Sequence, residues 1–151
     1  MVLYAAARPD RLADALVILS DAASYTASGG MEVGAVAVIK DLGASQAFLD
    51  FVVDISNVTA PTNDELYIVS VQGSNSSTFA SGIVNLGSFV IGDPLVSGAD
   101  IAMTTHVGSR QVVPFANLYQ GTVYRYLRGY ILMTGTDPAI NLTRAFVSPR
   151  F

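Results

Sequence analysis

The sequence predicts an all-β fold, a jelly-roll-like antiparallel β-sandwich preceded by an N-terminal arm or short helix. Two observations carry the prediction. From about residue 45 onward, apolar and polar side chains alternate with the period of two that marks a half-buried strand. Between the alternating runs stand clusters of turn formers: Ser28-Gly29-Gly30, Ala60-Pro61-Thr62-Asn63-Asp64, Gly73-Ser74-Asn75-Ser76-Ser77, Gly92-Asp93-Pro94 and Ser97-Gly98. Such punctuation suits a sandwich, jelly roll or barrel rather than βαβ units.

The elements follow in order. Residues 1–19 read as the arm: Leu12, Leu16 and Leu19 recur at helical spacing after Pro9, although Leu16-Val17-Ile18-Leu19 also reads as an apolar strand. Residues 20–151 read as a single sandwich domain, a size that buries one sizeable core. Val36–Lys40 is a short strand candidate. In Ala47–Ile55, Ala47, Leu49, Phe51, Val53 and Ile55 take one face, and Phe48, Asp50, Val52 and Asp54 the other. Leu66–Gln72 places Tyr67, Val69 and Val71 together, and Ile83–Ile91 is a β-rich run interrupted by Gly87. Gln111–Phe115 contains Pro114, which donates no ladder hydrogen bond and so predicts an edge or strand end. Tyr124–Met133 and Ala139–Val147 flank Thr134-Gly135-Thr136-Asp137-Pro138, whose turn residues predict a hairpin.

Composition narrows the function. The chain is 51% apolar and only 13% charged, so its surface relies on small and uncharged side chains, which favours assembly. Lys40 is the only lysine and the net charge is −4, which leaves no basic field for a nucleic-acid backbone. Arginine instead dominates the cations, and because its guanidinium grips carboxylates bidentately this bias suits interface pairs with acids such as Asp50 or Asp54. With no cysteine, neither a disulfide framework nor a thiolate site can form. Met1–Ala7 is too short for a signal h-region and is followed at once by Arg8, Asp10 and Arg11, so no export signal is expected. No apolar run reaches the length of a membrane span.

No catalytic constellation stands out. His106 is the sole histidine and has no carboxylate or second histidine at metal spacing, so it reads as a loop residue. No serine lies in a G-x-S-x-G elbow, and no glycine-rich phosphate loop occurs. Asp50 and Asp54 share a strand face, but at a rise of about 3.3 Å per residue they stand about 13 Å apart, too far for an acid–base pair. Asn63-Asp64-Glu65, and Asp93 with Asp100, lack the alternating spacing of a calcium loop. The glycosylation-type tripeptides at Asn57, Asn75 and Asn141 are read as chance matches. No enzyme, no metal and no cofactor is expected.

What remains is a stretch of aromatic rings and guanidinium groups, Tyr124-Arg125-Tyr126-Leu127-Arg128-Gly129-Tyr130. Tyrosine and arginine are enriched where protein surfaces meet, and Tyr124, Arg125, Tyr126, Arg128 and Tyr130 are the candidate interface residues. Alternation sets Tyr124, Tyr126, Arg128, Tyr130 and Leu132 against Arg125, Leu127, Gly129, Ile131 and Met133. The competing reading is a sandwich strand whose tyrosines are core and whose arginines snorkel to the rim.

This stretch, with Ser20–Ser28 leading to Ile39-Lys40-Asp41-Leu42-Gly43, Leu66–Phe79 and the closing strand to Val147, resembles the capsid cement, or decoration, proteins of short-tailed bacteriophages. The most specific piece is Arg125-Tyr126-Leu127-Arg128 followed by Tyr130 and Gly135. The start of the chain and the segment from Ile91 to Arg110 depart from the family. The resemblance implies a jelly-roll-like sandwich, paired as a homodimer, that sits on the capsid exterior and bridges major capsid protein subunits, with no nucleic acid or membrane as partner. It implies a virion protein made in the host cytoplasm. A different class, a carbohydrate-binding module for host adhesion, is suggested by Val71–Phe79, which resembles a strand-loop of galactose-binding-like sandwiches, and by Tyr119 or Tyr124 as exposed rings. A hydrolase would require His106, Asp93 or Asp100 and a serine to converge.

Overall fold

The computed structural model describes residues 18–59, 64–92 and 108–150, and every regular element among them is a β-strand. Two antiparallel sheets face each other. In the first, β7 (Phe48–Thr59) lies between β14 (Ala139–Pro149) and β10 (Arg110–Ala116), while β1 (Ile18–Ser20) and β2 (Ala23–Tyr25) pair with the other side of β14. In the second, β8 (Leu66–Ser74) lies between β13 (Tyr126–Thr134) and β9 (Val84–Ile91), while β3 (Gly29–Gly30) and β6 (Lys40–Asp41) share the far edge of β13. Two small hairpins, β4 (Glu32–Val33) with β5 (Val36–Ala37) and β11 (Leu118–Tyr119) with β12 (Thr122–Val123), complete the set.

The connectivity is that of a jelly roll. Counted along the chain as β1, β3 with β6, β7, β8, β9, β10, β13 and β14, the strands lie in the order one-eight-three-six in one sheet and two-seven-four-five in the other. The expected all-β sandwich is what the chain forms.

The core lies where the alternation places it. Leu49, Phe51, Val53 and Ile55 of β7 meet Tyr67, Val69 and Val71 of β8, with Leu127 and Ile131 of β13 and Ile140, Leu142, Ala145 and Val147 of β14. Full burial of each large apolar side chain contributes about 1.5–3 kcal/mol. The switch in β14 from even to odd inward positions coincides with its register shifts around Leu142, so Arg144 and Phe146 share the outer side. Tyr67 ties the sheets together at one end. Its hydroxyl sits 2.7 Å from the Thr59 carbonyl and accepts the Ala139 N–H at 2.8 Å, and burial raises its pKa.

Three expectations are corrected or displaced. β13 and β14 do not form a hairpin: β13 pairs with β8, β14 pairs with β7, and the turn between them arches from one sheet to the other. The reason is that both strands carry an apolar face, Leu127-Ile131-Met133 and Ile140-Leu142, and an arch lets those faces meet across the core. The Val36–Lys40 strand is broken into β5 and the start of β6. Of the arm at 1–19, only Ile18 and Leu19 are among the described residues, and both belong to β1, with Leu19 fully buried. The Pro9–Leu19 helix otherwise lies outside the described residues. Pro114 is at an edge as expected, since β10 ends its sheet.

Candidate binding face

β13 has two unlike sides. Leu127, Gly129, Ile131 and Met133 are buried against the core, while Tyr126, Arg128 and Tyr130 are half-buried and Leu132 is exposed on the outer side. The alternation therefore sorts these residues correctly, but the tyrosines face outward rather than into the core. On the inner side Gly129 leaves room for a neighbour: a Cβ there would overlap the Met31 thioether, and Met31, fully buried, occupies that space. Met31 also donates its N–H to the Gly129 carbonyl at 2.9 Å.

The five candidate interface residues fall into three places. Tyr124 precedes β13 and packs at one end of the sandwich, where a Cβ on Gly73 would come 2.9 Å from its own Cβ. Arg125 is exposed and closes on Asp41 through two hydrogen bonds, Nε to Oδ1 at 2.8 Å and Nη2 to Oδ2 at 2.7 Å. That pairing, together with the Gly43 N–H, lowers the Asp41 pKa to about 2. Tyr126, Arg128 and Tyr130 remain together on the outer face. Two asparagines position the lead-in. Asn75 accepts the Arg125 N–H at 2.9 Å and donates to the Val123 carbonyl at 3.1 Å. Asn117, fully buried, donates to the Ser45 and Tyr124 carbonyls and accepts the Ala47 N–H. Sequence reasoning passed over Asn117, whose role depends on chain segments distant in sequence.

Arg128 is the centre of the outer face. Its guanidinium lies 4.6 Å from the Phe79 ring centroid and 4.9 Å from that of Tyr130, and its Nε donates to Gln72 Oε1 at 2.8 Å. Desolvation lowers its pKa. Phe79 reaches this position from a left-handed backbone, φ 54°, a conformation that costs a bulky residue about 1–3 kcal/mol unless its surroundings hold it. They do: its N–H bonds the Ser76 carbonyl, and the Ser74 hydroxyl takes the Ser76 N–H and donates to the Ser81 carbonyl. The Val71–Phe79 loop thus ends in a ring set against Arg128. Along the strand the face turns apolar, because Leu132, Ile68 and Val90 are paired in register, with Leu132 43% and Val90 54% exposed.

The outer face of the first sheet is built differently. Arg110 grips Asp54 at both oxygens, at 2.6 and 2.9 Å, and Arg144 Nε joins Oδ2 at 2.8 Å. Both guanidiniums cover the Phe146 ring, 5.9 and 5.1 Å from its centroid. These hydrogen bonds, led by that of Arg110, lower the Asp54 pKa. Arg150 approaches Asp50 at 3.9 Å. Asp50 and Asp54, expected to meet arginines across an interface, are instead met by arginines of their own chain.

An open depression of about 370 Å³ lies at the Tyr124 end, lined by Asn75, Ser76, Ser81, Gly82, Thr122 and Tyr124. Among the described residues no group of three or more His, Asp or Glu side chains gathers to hold a metal, and no helix is long and apolar enough to cross a membrane. His106, Asp93 and Asp100 lie outside the described residues. No protein-family model matches the chain, and no curated protein matches it.

Proposed function

We propose that this protein is a structural virion component that binds the outside of a bacteriophage capsid, as a homodimer, and stabilises the shell by bridging major capsid subunits. The observation that carries this reading is the outer face of the second sheet, where Tyr126, Arg128, Tyr130 and Leu132 form an aromatic, arginine-centred and apolar surface suited to protein contact. The resemblance of that same strand to the cement proteins supports it. Many modest contacts of this kind add up on a symmetric lattice. The test is co-sedimentation of the purified protein with undecorated shells, with shell heat resistance as the second readout. Arg128→Ala is expected to weaken binding more than Ser77→Ala, and absence of both co-sedimentation and heat protection at saturating protein refutes the reading.

A second reading is a carbohydrate-binding module for host adhesion. The depression bounded by Asn75, Ser76 and Tyr124 favours it, since polar groups beside an aromatic ring suit a sugar. A glycan array that stays blank at high protein concentration removes it.

A further inference from the structure

We propose that Arg128 is a preformed receptor for a carboxylate of the partner protein, so that the second sheet takes an extended segment carrying an Asp or Glu side chain and, four residues along it, an apolar one. The inference rests on the capsid reading for the identity of the partner, and deepens it by naming the chemistry of the contact.

The arginines differ in their partners. Among those in the described residues, Arg110 and Arg144 bind Asp54, Arg125 binds Asp41 and Arg150 approaches Asp50. Arg128 alone has no carboxylate among the described residues, and Gln72 is the only acceptor it meets there. Its place in the ladder explains the difference. Arg110 and Arg144 each stand directly opposite Asp54, whereas Arg128 stands opposite Gln72, which is itself paired to Asn85.

The guanidinium is nevertheless fixed. Nε is held by Gln72 and the plane is flanked by Phe79 and Tyr130, which leaves both Nη groups without an acceptor among the described residues. A cation that is ordered and half-desolvated before binding loses little further freedom when a carboxylate arrives, and its fork matches the two oxygens.

The neighbouring surface identifies the occupant further. The row formed by Leu132, Ile68 and Val90 lies four residues along β13 from Arg128, about 13 Å at the usual strand rise. A complementary segment therefore places its acid and an apolar side chain about that far apart. A nucleic-acid backbone fits poorly, because one isolated cation beside an apolar row in a chain of charge −4 cannot follow a run of phosphates.

Three measurements test this. In the first, wild type, Arg128→Gln, Arg128→Lys and Arg150→Gln are titrated onto undecorated shells, each variant checked for unchanged near-ultraviolet circular dichroism. The expected result is at least a tenfold loss for Arg128→Gln, partial recovery with Arg128→Lys and no change with Arg150→Gln. If wild type binds and Arg128→Gln binds within twofold of it, the inference fails and the capsid reading stands.

The second needs no shell: the Arg128 Nε–H resonance is followed while a capped Glu-Ser-Thr-Ser-Leu peptide, whose acid and leucine stand four residues apart on one face of an extended chain, its Gln-Ser-Thr-Ser-Leu counterpart or inorganic phosphate is added. A saturable shift with the glutamate peptide alone supports the inference even if no shell binds, in which case only the capsid reading falls. No shift, equal shifts with both peptides, or tighter binding of phosphate overturns it. Dimer dissociation caused by Arg128→Gln in sedimentation velocity also overturns it, by assigning the carboxylate to a second copy of this chain.

Discussion

The two outer faces of the sandwich use the same ingredients, arginine stacked on aromatic rings, to opposite ends. On the first sheet Asp54 stands directly across from Arg110 and from Arg144, so both cations close on the fold. On the second, Gln72 stands across from Arg128, Ser70 across from Tyr130, and the cation has no carboxylate among the described residues. The lesson is that what an arginine does is decided by its cross-strand partner. An aspartate there makes it a structural clamp; an amide holds its orientation and leaves its charge available.

The largest expected effect comes from removing the floor beneath the open face. Gly129→Val would drive a side chain into Met31, which fills that part of the core, and overpacking of this kind costs about 3 kcal/mol. Urea denaturation should show the loss, and Met31→Ala in the same chain should restore part of it by vacating the space. Next comes the clamp itself. Asp54→Asn removes the charge on which two arginines converge, at a site only 19% exposed, and is expected to cost about 2 kcal/mol. Shell binding per folded molecule should not change. A parallel loss of binding would show that the first face is also a contact surface.

Several of these distinctions were legible in the sequence and others were not. The alternation of Leu49, Phe51, Val53 and Ile55 identified β7 and its inner face, because a period of two has only one interpretation when one side is wholly apolar. The same rule separated Tyr126-Arg128-Tyr130 from Leu127-Gly129-Ile131, but with Arg125 on the second side and rings on the first neither side was simply apolar, so alternation alone did not decide which one faces the core. Turn chemistry misled at Thr134–Pro138, since glycine, aspartate and proline serve a hairpin and an inter-sheet arch equally well. Only the need of two apolar faces to meet decides between them. The neighbours of Arg128 were invisible for another reason. Phe79 and Gln72 reach it through the ladder and the loop, and neither lies within forty-odd positions of it in sequence.

Gln72→Glu would convert one face into the other. The new carboxylate would stand opposite Arg128 as Asp54 stands opposite Arg110, and an internal pair at this half-buried position is expected to stabilise the fold by at most about 1 kcal/mol. It should also occupy the guanidinium and reduce shell binding at least tenfold, about 1.4 kcal/mol. Binding of Gln72→Glu at wild-type strength would mean that the charge of Arg128 is not what the partner recognises.

The smallest effect concerns Arg125, which is a neighbour of Arg128 in sequence but belongs with the clamped arginines in its chemistry. Its pairing with Asp41, aided by the Gly43 N–H, brings the carboxyl from the ordinary value of 3.8 down to about 2. Because the folded pKa lies below the unfolded one, the contribution of the pair to stability is fully present above about pH 4 and is lost as pH falls through about 2. The chemical shift of the Asp41 carboxyl carbon should therefore titrate with a midpoint near pH 2 in the wild type and return toward the ordinary range in Arg125→Gln. Both side chains are close to half exposed, so the shift should shrink in high salt. An unshifted Asp41 in the wild type would mean that Arg125 is not held in solution, and would place it beside Arg128 as a second available cation on the approach to the open face.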